Sequence, residues 1–157
     1  MSPFAPGLFA TAWQSPTIDY HALAPEIVLA GGICLVILVD LFTGPAKKWL
    51  TASLSGFVLL GALVPVLTLT VADDPVRSMF GGRYVIDNFA LTLKALFLVA
   101  GYVIVLLSQN HVEEGDYYQG EYYTLLLTSL TGMVVMASSR DLVSIFVALE
   151  TLSIPAY

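Results

Sequence analysis

Long apolar runs alternate with short polar breaks along this 157-residue chain, and most of its charged side chains fall in the breaks. That is the pattern of a polytopic helical membrane protein, because backbone facing lipid must satisfy its hydrogen bonds within its own segment. The runs predict five helices: Leu23 to Phe42, Trp49 to Val71, Asn88 to Ser108, Tyr122 to Ser138, and a fifth from Asp141 onward to Tyr157. The expected fold class is therefore all-α, a polytopic transmembrane helical bundle of about five helices.

Local signals set the ends of these elements. Pro25 suits the first turn of the first helix, where its missing N–H costs nothing. Glu26 beside it favours the positive end of the helix dipole and reads as a helix-start acid at the interface. Asp40 stands at the unfavourable end, within reach of Lys47 and Lys48. Thr43-Gly44-Pro45-Ala46-Lys47-Lys48 breaks the helix. Trp49 is an interfacial anchor for the second helix, which Pro65 is expected to kink. Gly56 and Gly61 would permit close helix approach. Asp73 to Asp87 is a polar connection in which Gly81-Gly82 and Arg83-Tyr84-Val85-Ile86 suggest a small surface hairpin. Gln109 to Tyr123 reads as an acidic, tyrosine-rich loop, and Ser138-Ser139-Arg140-Asp141 as a tight turn.

Composition narrows the class. Of the residues 57% are apolar and 11% charged, where soluble domains carry about 25% charged residues. The net charge of -6 comes mainly from Asp73-Asp74 and Glu113-Glu114-Gly115-Asp116, and nothing basic is concentrated enough to bind nucleic acid. With Cys34 as the single cysteine, no disulfide forms within the chain and no cysteine cluster holds an iron–sulfur centre. His21 and His111 make no metal pair by spacing, so no metal site is expected. The first 46 residues lack Lys and Arg, which leaves no cationic n-region for a secretory signal. Loop charge leaves orientation open. Lys47 and Lys48 favour one side, while Arg77, Arg83 and Arg140 favour the other.

Candidate chemistry centres on two side chains inside the apolar runs. Glu150 lies nine residues past Asp141, roughly 13 Å along a helix at 1.5 Å per residue, near the middle of a hydrocarbon core ~30 Å thick. An ionisable residue there reads by default as a functional site. Its helical neighbours Val143, Phe146, Val147 and Ile154 are apolar, and Ser153 completes the set. Pro155 removes the donor for the Thr151 carbonyl, so a hydrated break next to the acid is expected. These residues suit a proton relay; an acid tying two helices together is the alternative. Lys94 lies six residues into the third helix. It either snorkels to the interface, where Asp87 can pair with it, or belongs to an internal chain of charges.

Several stretches carry a family resemblance. They are Pro25-Glu26, Asp40-Leu41-Phe42, Phe80-Gly81-Gly82, Val85-Ile86-Asp87-Asn88-Phe89 before Lys94, Glu121-Tyr122-Tyr123-Thr124-Leu125-Leu126-Leu127, Gly132-Met133-Val134-Val135-Met136-Ala137-Ser138, and above all Asp141 to Tyr157 around Glu150. Together they resemble the antiporter-like chain N family of the proton-translocating NADH–quinone oxidoreductase, respiratory complex I. The segment around Glu150 is shared in outline by sister antiporter-like chains of the complex and by cation/proton antiporters.

The resemblance implies the N-terminal part of an antiporter-like fold with inverted repeats. It divides the chain into a tail (1–22), three lead-in helices with the 73–87 connection (23–108), an acidic loop (109–121), and the truncated start of the first repeat (122–157). It implies a multi-pass protein of the bacterial inner membrane with its N-terminus outside. Glu150 would pair with a lysine on the next helix, and Lys94 would match a third-helix lysine. The implied function is proton translocation coupled to electron transfer from NADH to quinone, as an enzyme subunit without its own redox centre. NADH, flavin, iron–sulfur clusters and quinone would be bound elsewhere in the complex. The implied partners are the other membrane-arm subunits, including sister antiporter-like chains and a small helical neighbour, together with lipid. A cation/proton antiporter or hydrogenase membrane subunit is one competing reading, and a structural membrane subunit without ion conduction is another.

Overall fold

The computed structural model describes residues 18–42, 49–72, 76–114 and 119–157. The tail up to residue 17, the Gly44-Pro45 break with Lys47 and Lys48, Asp73-Asp74, the side chain of His111 and residues 115–118 of the acidic loop lie outside the described residues. Within them are five α-helices: α1 (Ala24–Phe42), α2 (Trp49–Val71), α3 (Asn88–Glu114), α4 (Gln119–Ser138) and α5 (Leu142–Ser153). The fold is the all-α transmembrane bundle that the apolar runs predict.

The helices α1, α2 and α3 are long and apolar enough to cross a membrane. The 23 residues of α2 extend about 35 Å, more than a ~30 Å hydrocarbon core requires. Its helix continues through Pro65 to Val71, and the Thr68 hydroxyl donates to the Pro65 carbonyl at 3.0 Å. Three boundaries differ from expectation, and one of them is the end of α5, at Ser153 rather than Tyr157. The third helix does not stop at Ser108 but runs to Glu114, and α4 begins at Gln119, so helix occupies most of the expected loop.

The more polar α4 sits centrally, packed by α1, α2, α3 and α5. Two of its threonine hydroxyls turn back on their own helix: Thr128 donates to the Thr124 carbonyl and Thr131 to the Leu127 carbonyl, each at 2.8 Å. A helix enclosed by other helices need not be apolar on every side, provided that its side-chain polar groups are bonded. Tyr123 on α4 is buried, with its ring edge-on to that of Tyr122.

Between α2 and α3 lies the expected hairpin. Strand β1 (Arg77–Met79) pairs antiparallel with β2 (Tyr84–Ile86), with Ser78 opposite Val85. The turn Phe80–Gly82 has positive φ at all three positions, two of them the glycines that tolerate it. On β2, Tyr84 and Ile86 point to the buried side, as period two requires.

Close helix approaches occur at glycines other than those expected. A Cβ at Gly56 or Gly61 would meet only ordinary contacts, at 3.4 Å and 3.6 Å. One at Gly132 would lie 2.6 Å from the Leu152 backbone nitrogen and 2.8 Å from the Ala148 carbonyl oxygen. Gly132 is where α4 and α5 touch backbone to backbone.

Candidate functional site

Asp141 stands in extended conformation before α5, and its carboxylate accepts from the Ser144 N–H at 3.3 Å. That is an N-cap. The Ser144 hydroxyl first, and then this N–H, hold the Asp141 carboxyl below its ordinary value against the desolvation that raises it. From this start α5 rises roughly 12 Å to reach Glu150. Ala148 and Leu152 face α4 across Gly132. Glu150 lies two residues from each, so helical periodicity puts it on the opposite side of α5. There Phe146, Val147 and Ile154 are exposed and Glu150 is half-buried. Among the described residues, no side chain hydrogen-bonds or pairs with its carboxylate.

At Pro155 the helix tightens into a 3₁₀ turn, Ile154–Ala156. The Ile154 N–H donates to the Glu150 carbonyl. The Thr151 hydroxyl donates back to the Val147 carbonyl at 2.8 Å. Leu152 offers its carbonyl to the Ser129 hydroxyl of α4 at 3.0 Å.

Lys94 is placed differently from the snorkelling expectation. Its side chain has no solvent exposure, and its Nζ lies 2.7 Å from Glu26 Oε1 of α1. The physical reason is its face. Leu91 and Leu98, three before and four after it, are buried, so Lys94 is aimed into the bundle, where its stem cannot reach the interface. Asp87 has other partners: it accepts from the Ala90 N–H at 2.7 Å, capping α3, and pairs with Arg140 at 2.5 Å. Glu26 does begin α1, but its carboxylate turns inward with 12% of the side chain exposed.

A third member was not expected. The Tyr84 phenol donates to Glu26 Oε1 at 2.5 Å, and Lys94 Nζ donates to the Tyr84 oxygen at 3.1 Å. Burial first, and then the charge of Glu26, push the Tyr84 phenol far above its ordinary value, so it serves as a donor. The signal available in sequence was the period-two pattern of β2, which turns Tyr84 inward with Ile86. Nothing in that pattern names its partner.

The hairpin also holds the start of α5. Tyr84 forms an isolated antiparallel bridge with Ser139, and the Arg140 N–H donates to the Arg83 carbonyl at 2.8 Å. On its other flank, Arg77 pairs with Asp19 at 2.7 Å. The Ala22 N–H first, and Arg77 after the opposing desolvation, hold the Asp19 carboxyl below its ordinary value. Among the described residues no group of three or more His, Cys, Asp or Glu side chains is placed to hold a metal ion.

No family model matches the chain. Individual proteins do. It is 32% identical over 139 residues to an NADH-quinone oxidoreductase subunit N from Thioalkalivibrio sulfidiphilus, covering 88% of this chain and 28% of that protein. It is 38% identical over 141 residues to a subunit N 2 from Chloroherpeton thalassium, covering 87% and 27%. A third relative, NAD(P)H-quinone oxidoreductase subunit 2 from a Synechococcus strain, is 33% identical over 145 residues, covering 91% and 27%. The chain thus spans little more than a quarter of the length of the curated relatives it matches. Over nearly nine tenths of its own length, it is homologous to NADH-quinone oxidoreductase subunit N.

Proposed function

We propose that this chain is part of a membrane-arm subunit of NADH–quinone oxidoreductase that translocates protons, with Glu150 as a proton-carrying group. NADH oxidation and quinone reduction, with their flavin and iron–sulfur clusters, belong to other subunits in this reading. The carrying observation is the position of Glu150. It is an acid about 12 Å into a capped apolar helix, on the side turned away from α4, with no partner among the described residues.

A cation brought to that face by a further helix would complete a charge pair, and exchange of one proton would switch it. Lys94 cannot be that partner in this arrangement, since it is engaged with Glu26. The partners proposed are other membrane-arm chains, including antiporter-like sisters and a small helical subunit, together with lipid. In the proposed orientation the N-terminus, the hairpin and the α4–α5 turn lie on the outer side of a bacterial inner membrane, and α4 and α5 open the first antiporter-like repeat.

The test is Glu150→Gln in the full-length protein within its assembled complex. The variant should assemble normally and lose most proton pumping in proteoliposomes, together with the coupled quinone reductase activity. Wild-type pumping would remove Glu150 from the path. Loss of assembly in Glu150→Gln would mark it as a tie between helices.

A further inference from the structure

We propose that Glu26, Lys94 and Tyr84 form a second proton-exchanging site in this chain, separate from Glu150 and placed at the hairpin end of the bundle.

The geometry differs from that of a purely structural tie. A buried carboxylate held only for packing is expected to have both oxygens bonded, because each unbonded buried acceptor is costly. Here Lys94 Nζ and the Tyr84 hydroxyl both converge on Oε1 of Glu26, at 2.7 Å and 2.5 Å, while the buried Oε2 has no hydrogen-bond partner. Oε2 is thus the atom open to a proton, and its protonation leaves both bonds to Oε1 in place. The Ser138 hydroxyl, at the end of α4, is fully buried and acts on the Tyr84 phenol. Polar atoms from α1, α3, β2 and α4 thus gather around one phenol, with Glu26 Oε2 as the unbonded one among these side chains.

Among the described residues, the charged and titratable groups at the site are Glu26 from α1, Lys94 from α3 and Tyr84 from β2, while α2 carries no ionisable side chain. From α4 comes only the Ser138 hydroxyl. The site lies at the hairpin end of the bundle: Tyr84 is bridged to Ser139, and the adjoining Arg140 is exposed and paired with Asp87.

The proton accounting is simple. Uptake forms an O–H bond at Glu26 Oε2 and breaks one in a hydronium ion of the hairpin-side water. Release reverses both changes. With Lys94 as an ammonium and Tyr84 as a phenol on both sides of the step, the site moves between net charge zero and plus one with no redox change.

The experiment is infrared difference spectroscopy between alkaline and acid pH on the full-length protein in proteoliposomes, following the C=O band of a protonated carboxyl. A band that survives Glu150→Gln and disappears in Glu26→Gln is the expected result. Persistence of every carboxyl band in Glu26→Gln would overturn the proposal, as would the absence of any titrating band in the wild type. Glu26→Gln leaves Lys94 facing a neutral amide, so Glu26→Gln with Lys94→Met provides a variant without the buried charges. It too must lack the band, and its retention there overturns the site. The two readings fail separately. Loss of the band only in Glu150→Gln removes this site and keeps the Glu150 relay. Loss only in Glu26→Gln, with pumping intact in Glu150→Gln, does the reverse.

Discussion

Lys94 of α3 and Glu26 of α1 meet at 2.7 Å, 68 residues apart in sequence, with the lysine side chain entirely enclosed. In a low-dielectric interior, the desolvation of two such ions offsets much of their attraction, while one left alone is strongly unfavourable.

Removing only one partner should therefore be the harsher change. Lys94→Met leaves the Glu26 carboxylate buried with only the Tyr84 phenol for support. It should lower stability by on the order of 3 kcal/mol. The double variant Lys94→Met with Glu26→Gln should recover most of that loss. Thermal unfolding in detergent of both single variants and the double variant against wild type measures the coupling. Strict additivity would mean that the pair does not interact energetically.

Gly132 makes a second prediction about the placement of Glu150. A methyl group there would meet Leu152 and Ala148 backbone, which cannot move aside as a flexible side chain can. Gly132→Ala should cost about 1–3 kcal/mol, as overpacking does, and should push α5 off α4. Pumping should fall even though Glu150 is untouched. Gly31→Ala is the control: a Cβ there meets nothing within 4 Å, and alanine is the better helix former. Equal thermal midpoints for the two variants would refute the close α4–α5 contact.

The clasp at the start of α1 should respond to acid. Asp19 has its folded value depressed below the ordinary 3.8, with bonds from Ala22 and Arg77 as the lowering causes. The sign follows directly: a group bound more tightly as an anion in the folded state contributes stability above its unfolded value. That contribution is lost as pH falls through the lower folded value. Asp19→Asn should therefore flatten the dependence of amide protection at Ala22 between about pH 5 and pH 2. Hydrogen exchange at His21 and Ala22 reads this, and an unchanged profile would show that the carboxylate does not control the clasp.

Much of the bundle was legible in the amino-acid order. Trp49 and Val71 bound the second helix as expected, because a lipid-facing run must keep its backbone bonds within the run and ends where polar residues begin. The hairpin followed from Gly81-Gly82 and the run Arg83-Tyr84-Val85-Ile86, and the fifth helix was expected from Asp141, which the structure shows to be its N-cap. The end of α3 did not follow. Gln109 to Glu114 are polar except for Val112, and polarity does not distinguish a loop from a helix that has left the hydrocarbon and continues into water.

The sequence by itself determined which residues are out of place in an apolar helix: Glu150 and Lys94 stand out by cost alone. It could not determine what each one faces. A lysine six residues into a helix has a long stem, and snorkelling or burial differ only by the direction of its face relative to other helices. Tertiary packing decided this, turning Lys94 toward Glu26 and Tyr84 and leaving Asp87 to Arg140. It likewise decided that α5 lies on α4 through Ala148 and Leu152, and so aims Glu150 away from the described bundle. Burial cost is a property of one residue and its immediate run. Partnership depends on helix rotation and contact across the bundle, which is set by the packing of all five helices at once.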